Sequence, residues 1–349
     1  MSDSSYTVEI DSVSLEAWNA LLPRFADATI YQTWDYGAVR WGEKNIRHVV
    51  VKQGETAVAM CQVAVKRVPL VPVGVAFVSW GPLWRLNGRG RETGCFRAII
   101  GALKAEFANR QGLALRIDPC DIAANSADVL DMLQAEGFYR TPRHAYTTII
   151  MDLSHDIDAI RRETDQKWRN QLNKAEKNGL TVEERADAGA FNVFLELSAQ
   201  MIDRKKFVPG VDYQEFKRVF ERLAPELNMK VLVCKKDDAP VATAIYTKIG
   251  ERAIYILGAT GNAGLTLNGS NLTHWEIIKR LKAAGCTCYD LGGVNPIKNP
   301  GVFRFKQGLS GKNGVSASHI GEHEYCSNPI MHFVLNALET VRGSLKKRG

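Results

Sequence analysis

The sequence predicts an α/β protein of two tandem domains, each a mixed, twisted sheet flanked by helices. Its 349 residues exceed the length of one average domain. One order of elements, a β hairpin followed by a strand, a helix and a strand, occurs twice along the chain, as expected for a duplicated sheet domain. The composition, with 45% hydrophobic and 24% charged residues, is that of an ordinary globular protein.

The first copy begins with a hairpin at 49–66, VVVKQGETAVAMCQVAVK, in which two alternating runs flank a polar turn. An apolar strand at 75–80 and a helix at 92–109 with one apolar face come next. A buried strand at 113–117 completes the copy.

The second copy repeats this order. Its hairpin lies at 232–249, LVCKKDDAPVATAIYTKI, and an apolar strand follows at 253–259. A helix is predicted at 271–284, with Gly285 as its stop, and a strand at 287–291 closes the set.

The domain boundary is predicted near Thr147–Ser154. The last strand of the first unit ends there, and Ser154 is suited to cap the following helix. The first domain accordingly takes residues 1–153 and is completed by a C-terminal helix within 325–349, whereas the second takes 154–324. The amphipathic part of that C-terminal helix is Pro329–Lys347.

Charge and cysteine usage narrow the class of protein. The net charge of +7 fits an anionic partner, such as RNA, a phosphorylated sugar or an acidic membrane surface. The cysteines show neither a CxxC pair nor a His/Cys zinc spacing, which predicts a reduced, cytoplasmic protein without a metal. The polar N-terminus is no signal peptide, and the longest apolar stretch, Val68 to Trp80, is too short to span a bilayer. A lipid-linked substrate would therefore be reached from the inner face of the plasma membrane.

Three segments carry a family resemblance. They are Tyr31–Trp41, Lys167–Gly179, and a C-terminal set of Gly269–Glu276, Cys288–Val294 and Gly301–Gly311. Together they resemble the Fem family of non-ribosomal peptidyltransferases over residues 25 to 320, and the C-terminal set is the most specific.

This resemblance implies two tandem GNAT-like acyl-N-acyltransferase domains without the coiled-coil arm that some members carry. It implies aminoacyl-tRNA as donor and an amine of a peptidoglycan precursor, UDP-MurNAc-pentapeptide or lipid II, as acceptor, so that a side branch or interpeptide bridge forms. No cofactor is expected beyond the tRNA co-substrate, and we expect a monomer.

The donor ester is already activated, so the enzyme needs no covalent nucleophile, and the sequence offers no convincing Ser/His/Asp or Cys/His triad. It must instead hold amine and ester together and stabilise charge on the carbonyl. The family position of Lys306 is a lysine near the acyl donor, so Lys306 is predicted to be catalytic, contacting the oxyanion or a phosphate near the tRNA 3′ end. The alternative is a solvated lysine beside a structural phenylalanine.

The acceptor is expected in the first domain. Arg40 matches a basic family position that contacts the diphosphate of the precursor, a role that suits guanidinium. Asp118 ends a strand, where sites often lie, and is predicted to orient the attacking amine or accept its proton. The alternatives are a surface arginine on a short helix and a turn formed with Pro119. Tyr36 completes this part of the predicted substrate-binding set.

The second domain adds three predicted substrate-binding residues, namely Arg204, Tyr213 and Tyr255. The sequence departs from the family here, because a second phosphate-binding arginine aligns near Asp212 and has no clean match. Arg204 is the nearby substitute, and the groove tyrosine is Phe216 or a shifted Tyr213. The acceptor is therefore left open between nucleotide-linked, lipid-linked and other amines.

A basic stretch is predicted to form one helix and is a candidate RNA-binding face, the alternative being a solvated helix face. Its members are Arg161, Arg162, Lys167, Arg169, Lys174 and Lys177. A rival mechanism comes from Arg85–Gly90, which matches the R-x-x-G-x-G pyrophosphate loop of acetyl-CoA-dependent acetyltransferases. An acyl-CoA-dependent N-acyltransferase acting on an envelope or polysaccharide amine is thus the second reading, and a non-catalytic RNA-binding or scaffold protein the third.

Overall fold

The computed structural model describes residues 5–68 and 73–328. In chain order, its strands are β1 Tyr6–Ile10, β2 Ile46–Gln53, β3 Thr56–Arg67, β4 Gly74–Ser79, β5 Ala114–Asp118, β6 Tyr139–Arg140, β7 Thr147–Asp152, β8 Leu180–Arg185, β9 Lys230–Lys236, β10 Ala239–Ile249, β11 Arg252–Thr260, β12 Cys288–Gly293, β13 Gly314–Ser318 and β14 His323–Tyr325.

The α-helices are α1 Leu15–Leu21, α2 Trp34–Trp41, α3 Thr93–Leu103, α4 Ala127–Ala135, α5 Ile157–Glu163, α6 Gln166–Lys177, α7 Ala188–Lys205, α8 Tyr213–Arg222, α9 Asn262–Leu267, α10 Gly269–Ala283 and α11 Pro300–Ser310. A π-helical stretch, Lys104–Arg110, continues α3. No helix in the described part of the chain has the length and apolar character needed to cross a membrane.

The chain folds as two compact units, and the described strands form one seven-stranded sheet in each. The first unit runs through Tyr146 and resumes at Ser318, and its sheet has the order β1-β2-β3-β4-β5-β14-β6. The second unit is Thr147–Ala317, with the order β13-β7-β12-β11-β10-β9-β8. The mixed α/β fold class predicted from sequence is confirmed, as are both hairpins, β2–β3 and β9–β10.

The first sheet is packed against the apolar face of α3. Phe96, Ile99, Ile100 and Leu103 are fully buried on that face, as the helical spacing predicts. The parallel strands β4 and β5 pair at five positions, from Val75–Ala114 to Ser79–Asp118. The two strands therefore stay paired along the whole length of β5.

The second sheet is packed against α10, which is buried on most of its surface. A Cβ atom added to Gly269 would lie 3.1 Å from the Cβ of Ala242, so the glycine lets this helix approach β10 closely. In the β9–β10 turn, Asp237 and Asp238 both have positive φ, as a tight type I′ hairpin requires.

The parallel strands of the second sheet separate early. β11 and β12 pair only at Ala253–Tyr289 and Ile254–Asp290, after which β11 continues to Thr260. A register shift in β12 between Asp290 and Gly293 accompanies the separation. The gap that follows is where the candidate site lies.

Two boundary elements differ from the sequence pattern. That pattern gives the strand at 147–153 to the first domain, whereas β7 pairs antiparallel with β12 in the second sheet. Conversely, β14 extends to Tyr325 and joins the first sheet beside β5. Alternation of apolar residues identifies a strand but not its sheet, because the pairing partner is distant in sequence. The predicted helix Pro329–Lys347 lies outside the described residues.

The helix after β7 is capped by Asp156 rather than by Ser154. The Asp156 carboxylate accepts a hydrogen bond from the Ala159 amide at 2.7 Å. Ser154 instead donates its amide to the Asp152 side chain. Both residue types are good caps, and the two-residue shift follows from where α5 begins.

Candidate functional site

A cavity of about 350 Å³ opens in the second unit, within the range of small-molecule sites. Its wall on β11 runs from Tyr255 to Thr260, directly after the last residue of that strand paired with β12. Residues of α6, α7, α9, β10, α10 and α11, together with Asn268, complete the lining, and none of the described lining residues is Asp or Glu. The cavity therefore favours neutral or anionic ligand groups.

Lys306 is the most unusual lining residue. It lies on α11, is 5% exposed, and donates a hydrogen bond from Nζ to the Gly293 carbonyl at 2.9 Å. Nζ also lies 5.1 Å from the centroid of the Tyr255 ring. Burial lowers the pKa of Lys306 to about 8, although the negative charge of Asp290 opposes that shift. A large part of the ammonium therefore remains charged near neutral pH, inside a poorly solvated wall.

The sequence of α11 explains how Lys306 is held. Asn299 caps the helix by accepting the Val302 amide, and Pro300 occupies the first turn, where its missing N–H is harmless. Gly308 lies two residues further on, where an added Cβ would be 3.4 Å from Trp168. This close approach lets α11 pack on α6.

Asp290 shapes the wall behind Lys306. Its buried carboxylate accepts hydrogen bonds from the Thr148 hydroxyl and from the Gly292 amide at 2.9 Å, and it pairs with Arg252 at 3.1 Å. Gly292 has a φ of +75°, and a Cβ there would lie 2.6 Å from the Tyr255 carbonyl oxygen. Asp290 thus has a structural role and fixes the turn that presents the Gly293 carbonyl to Lys306.

An aromatic cluster adjoins the lysine. The ring of His274 lies 4.7 Å from that of Tyr255 and 5.3 Å from that of Phe305. Burial first, and then the charge of Lys306, lower the pKa of His274 to about 3, so this imidazole is neutral at physiological pH. Burial raises the pKa of Tyr255, which remains a phenol.

Some polar atoms of the lining have no partner. Within the described residues, Nδ2 of Asn271, Nδ1 of His274 and Oγ1 of Thr243 are buried without a hydrogen bond. All three side chains are less than 6% exposed. A buried, unsatisfied polar atom is costly, and such atoms in a cavity wall are typical of a site that a ligand completes.

The predicted residues of the second unit gather around this cavity. Tyr255 and Lys306 both line it, and Tyr213 is near enough to raise the pKa of Tyr255. Arg204 has another task, since its guanidinium donates to the Thr260 carbonyl at 2.9 Å and to the Asn262 side chain at 2.5 Å. Both hydrogen bonds hold the Arg204 guanidinium against the cavity wall. Fewer of its N–H groups are therefore available to a phosphate than the sequence prediction assumes.

The basic stretch is two helices, α5 and α6, and not one. Arg161 pairs with Glu176, and Arg169 donates to the backbone carbonyls of Arg162 and Thr164. Both guanidiniums join the helices and do not form a single charged face. Lys167 and Lys174 instead line a shallow surface pocket on α6 that shares Gln171 with the main cavity. Trp168 is buried, as expected for a core residue.

In the first unit, Asp118 ends β5 beside an acidic neighbour. Burial raises its pKa to about 6, and the negative charge of Glu322 adds to this shift while Arg143 opposes it. The Asp118 carbonyl accepts the Trp80 amide at 2.9 Å, so the strand end is ordered. A carboxylate whose conjugate acid has a pKa near 6 is a reasonable proton acceptor near neutral pH.

The other two predicted residues of the first unit lie on α2. Tyr36 is buried, with its ring 5.1 Å from that of Tyr31 in an edge-to-face arrangement. Arg40 is exposed, and its guanidinium lies 5.3 Å from the Trp41 ring. An exposed arginine on this helix is compatible with either interpretation drawn from sequence.

The loop of the rival mechanism, Arg85–Gly90, is anchored within the first unit. Arg85 pairs with the buried Asp27 at 3.3 Å, and that carboxylate also accepts the Trp84 amide. The following helix, α3, is preceded by an acidic residue, Glu92. A carboxylate at that end of a helix disfavours a pyrophosphate there.

Sequence reasoning missed the roles of His274, Asn271 and Lys205 in the cavity lining. His274 and Asn271 stand three positions apart on α10, and residues at that spacing share a helix face. Polar residues recurring within an otherwise buried helix are the signal that could have identified them.

Comparison with known proteins agrees with this architecture. A family model described as an acetyltransferase (GNAT) domain matches residues 162–307. Two curated relatives are lipid II:glycine glycyltransferases. The one from Staphylococcus saprophyticus is 24% identical over 59% of this chain and 50% of its own length. The one from Staphylococcus aureus is 23% identical over 55% and 46%. The chain spans about half the length of the curated relatives it matches.

Among solved structures, the crystal structure of FemX superposes with a TM-score of 0.79 at 17% identity. The superposition covers 93% of this chain and 99% of FemX. The chain therefore has the fold of FemX, and the matches support the predicted resemblance to the Fem family and to GNAT-like domains.

Proposed function

We propose that this protein is an aminoacyltransferase that moves an amino acid from aminoacyl-tRNA to an amine of a peptidoglycan precursor. The observation that carries the proposal is Lys306, a buried ammonium beside Tyr255 in a cavity whose described lining contains no acidic residue. The glycyltransferase names of the curated relatives supply the reaction class, and the acceptor is UDP-MurNAc-pentapeptide or lipid II.

Lys306 is suited to stabilise an oxyanion. The acceptor amine attacks the ester carbonyl carbon, a C–N bond forms, and negative charge develops on the carbonyl oxygen. The Lys306 ammonium donates to that oxygen, and its low-dielectric surroundings strengthen the interaction. When the intermediate collapses, the ester C–O bond breaks and the ribose hydroxyl leaves with one proton.

A pKa of about 8 suits Lys306 for that last step as well. An acid whose pKa lies near ambient pH can give a proton to the leaving oxygen and regain one from the attacking amine. His274 cannot serve in this way, since its pKa of about 3 keeps it neutral throughout.

On the acceptor side, Asp118 is the group that would hold or deprotonate the amine. Its pKa is raised because burial and Glu322 disfavour the charged carboxylate more than Arg143 stabilises it. A cationic amine would supply further positive charge beside this carboxylate. Arg40 and Tyr36 are proposed to contact the rest of the precursor. The protein would work in the cytoplasm, as a monomer, and meet a lipid-linked acceptor at the inner membrane face.

RNA contact is proposed on α6. Lys167 and Lys174 line the surface pocket that shares Gln171 with the main cavity, so a 3′ strand could follow this helix toward Lys306. The overall charge of +7 favours such a partner.

The deciding experiment incubates the protein with total aminoacyl-tRNA and, separately, with nucleotide-linked or lipid-linked precursor. Mass spectrometry should find one precursor heavier by one amino-acid residue, and RNase treatment of the donor should abolish that product. Formation of an acylated product with acyl-CoA in the absence of tRNA would reject the proposal.

Acyl-CoA-dependent transfer is the second candidate, and the Arg85–Gly90 motif is what favours it. If it is correct, CoA raises the melting temperature and a substitution at Gly88 or Gly90 removes that effect. The anchoring of Arg85 to Asp27 supports the first candidate over this one.

A further inference from the structure

The cavity of the second unit contains more polar chemistry than oxyanion stabilisation uses. Asn271 and His274 line it from the same face of α10, one helical turn apart. Asn271 is 5% exposed and His274 is 4% exposed. Neither Nδ2 of Asn271 nor Nδ1 of His274 has a hydrogen-bond partner among the described residues.

The hydrogen-bonding character of these two atoms determines which ligand group can bond to both. Nδ2 of Asn271 is a donor, and Nδ1 of His274 is a donor or an acceptor according to the tautomer. Both side chains are neutral, and no described lining residue is acidic. Two neutral groups need no charge on the ligand, and a hydroxyl both accepts and donates, so it complements the pair in either tautomer of His274.

The position of the pair relates it to the reacting ester. The Tyr255 ring is close to both parts of the wall, 5.1 Å from Nζ of Lys306 and 4.7 Å from the His274 ring. A group within a few bonds of a carbonyl held by Lys306 would reach His274, and Asn271 lies one turn beyond. The hydroxyl of Thr243 is a third buried, unpartnered polar group among the described lining residues.

We propose that Asn271 and His274 form a neutral hydrogen-bonding subsite that selects acyl donors with a hydroxyl close to the reacting ester. This proposal rests on the proposed function and refines its donor. The hydroxyl has two possible sources, the side chain of a hydroxylated amino acid and the ribose of the terminal nucleotide, and the experiment separates them.

The physical basis is the cost of leaving the pair unsatisfied. A site built to bond a hydroxyl discriminates against a donor that lacks it, because the buried polar atoms remain without partners. We therefore expect the wild-type protein to prefer the hydroxylated donor by roughly tenfold to a hundredfold in kcat/KM.

The test charges one tRNA body with serine or alanine, and in a second pair with threonine or valine. It also compares seryl-tRNA with and without the ribose hydroxyl next to the ester. Asn271→Leu and His274→Phe remove the polar atoms at similar volume, and Leu265→Ala is the control, since Leu265 lines the same cavity with an apolar side chain.

If the hydroxyl is that of the amino acid, both variants reduce the serine-over-alanine and threonine-over-valine preferences to about one, while Leu265→Ala keeps them. If it is that of the ribose, the amino-acid preferences are small throughout and the variants lose the discrimination against the deoxy donor. Variants that keep both wild-type preferences overturn the subsite. Wild-type protein that uses no aminoacyl-tRNA at all overturns the proposed function instead.

A binding measurement covers the case in which a variant does not fold. Calorimetry on the wild-type protein uses seryl and alanyl amides of 3′-amino-3′-deoxyadenosine, together with the 2′-deoxy form of the seryl amide. The subsite predicts that the seryl amide binds at least about tenfold tighter than one of the other two. Equal affinity for all three overturns it.

Folded Asn271→Leu protein should also melt no lower than wild type, because the buried amide nitrogen that it removes is unpaired. Removal of a structural asparagine would instead lower the melting temperature.

Discussion

The two units share one order of elements but differ where their parallel strands meet. In the first unit, β4 and β5 stay paired at five positions, and Asp118, the proposed acceptor-side residue, is the last residue of β5. In the second unit, β11 and β12 pair at two positions and then separate, so that the cavity lies within the sheet layer. A duplicated fold thus offers two kinds of site, and the early separation provides the enclosed one.

Paired and unpaired buried charges have different roles in this chain. Buried ion pairs occur in both sheets, as Arg116–Glu324 between β5 and β14 of the first and Arg252–Asp290 in the second. In the second unit, the buried Lys306 meets a backbone carbonyl and an aromatic ring rather than a carboxylate. Ion pairs stabilise a fold, whereas a charge left without a counter-ion is suited to a ligand.

The largest effect is expected from Lys306→Met. Removing the ammonium should lower kcat for transfer from aminoacyl-tRNA by about a hundredfold or more, as loss of an oxyanion donor does. Lys312→Ala, which removes an exposed lysine just after α11, should leave kcat unchanged. Wild-type turnover by a folded Lys306→Met protein would contradict the assignment.

The same variant should be more stable than wild type. The folded pKa of Lys306 is below its ordinary 10.5, so ionisation of the buried lysine costs free energy at pH 7 and this cost disappears as pH rises from about 8 toward 10.5. Urea unfolding should show Lys306→Met more stable by about 1–3 kcal/mol at pH 7, with the difference shrinking toward pH 10.

The next effect concerns the ring beside Lys306. A Cβ on Gly258 would lie 2.1 Å from the Tyr255 hydroxyl oxygen, so Gly258→Ala must displace that side chain. We expect about a tenfold loss of kcat/KM, since small misplacements near the reacting atoms are costly. Gly301→Ala is the matched control, because Gly301 lines the same cavity and a Cβ there meets nothing within 4 Å. Equal effects of the two substitutions would reject a role for Tyr255.

A smaller effect is expected from Asp118→Asn in the first unit. Its folded pKa is raised from 3.8 to about 6, so the wild type loses stability as pH rises through that window and the variant does not. Thermal melts should show the variant more stable above pH 6, by about 1 kcal/mol after allowing for solvent screening, and equal to wild type below pH 4. The KM for the acceptor should rise by less than about tenfold. An unchanged KM would remove Asp118 from the acceptor site.

No effect is expected from Gly90→Ala. This glycine has no positive φ, and an added Cβ would meet nothing within 4 Å. Transfer rate and melting temperature should match those of the wild type, and CoA should stabilise neither protein. Stabilisation of the wild type by CoA that is lost in the variant would restore the acyl-CoA mechanism.

The sequence predicts the repeated elements of each unit well, because periodicity reports local burial. It does not predict that β7 belongs to the second sheet, since strand pairing is non-local. The sequence names Lys306 and Tyr255, which both line the cavity, whereas the internal bonds of Arg204 and the pairing of Arg161 with Glu176 depend on tertiary contacts. The unpartnered state of Asn271 and His274 depends on packing around α10, which no sequence pattern reports.

The most direct test of a donor site in the second unit is a crystal structure with a stable aminoacyl amide of 3′-amino-3′-deoxyadenosine bound. The account predicts that the analogue lies in the cavity beside Tyr255, with its carbonyl oxygen about 3 Å from Nζ of Lys306. Binding at the Arg85–Gly90 loop of the first unit, with the cavity empty, would contradict it.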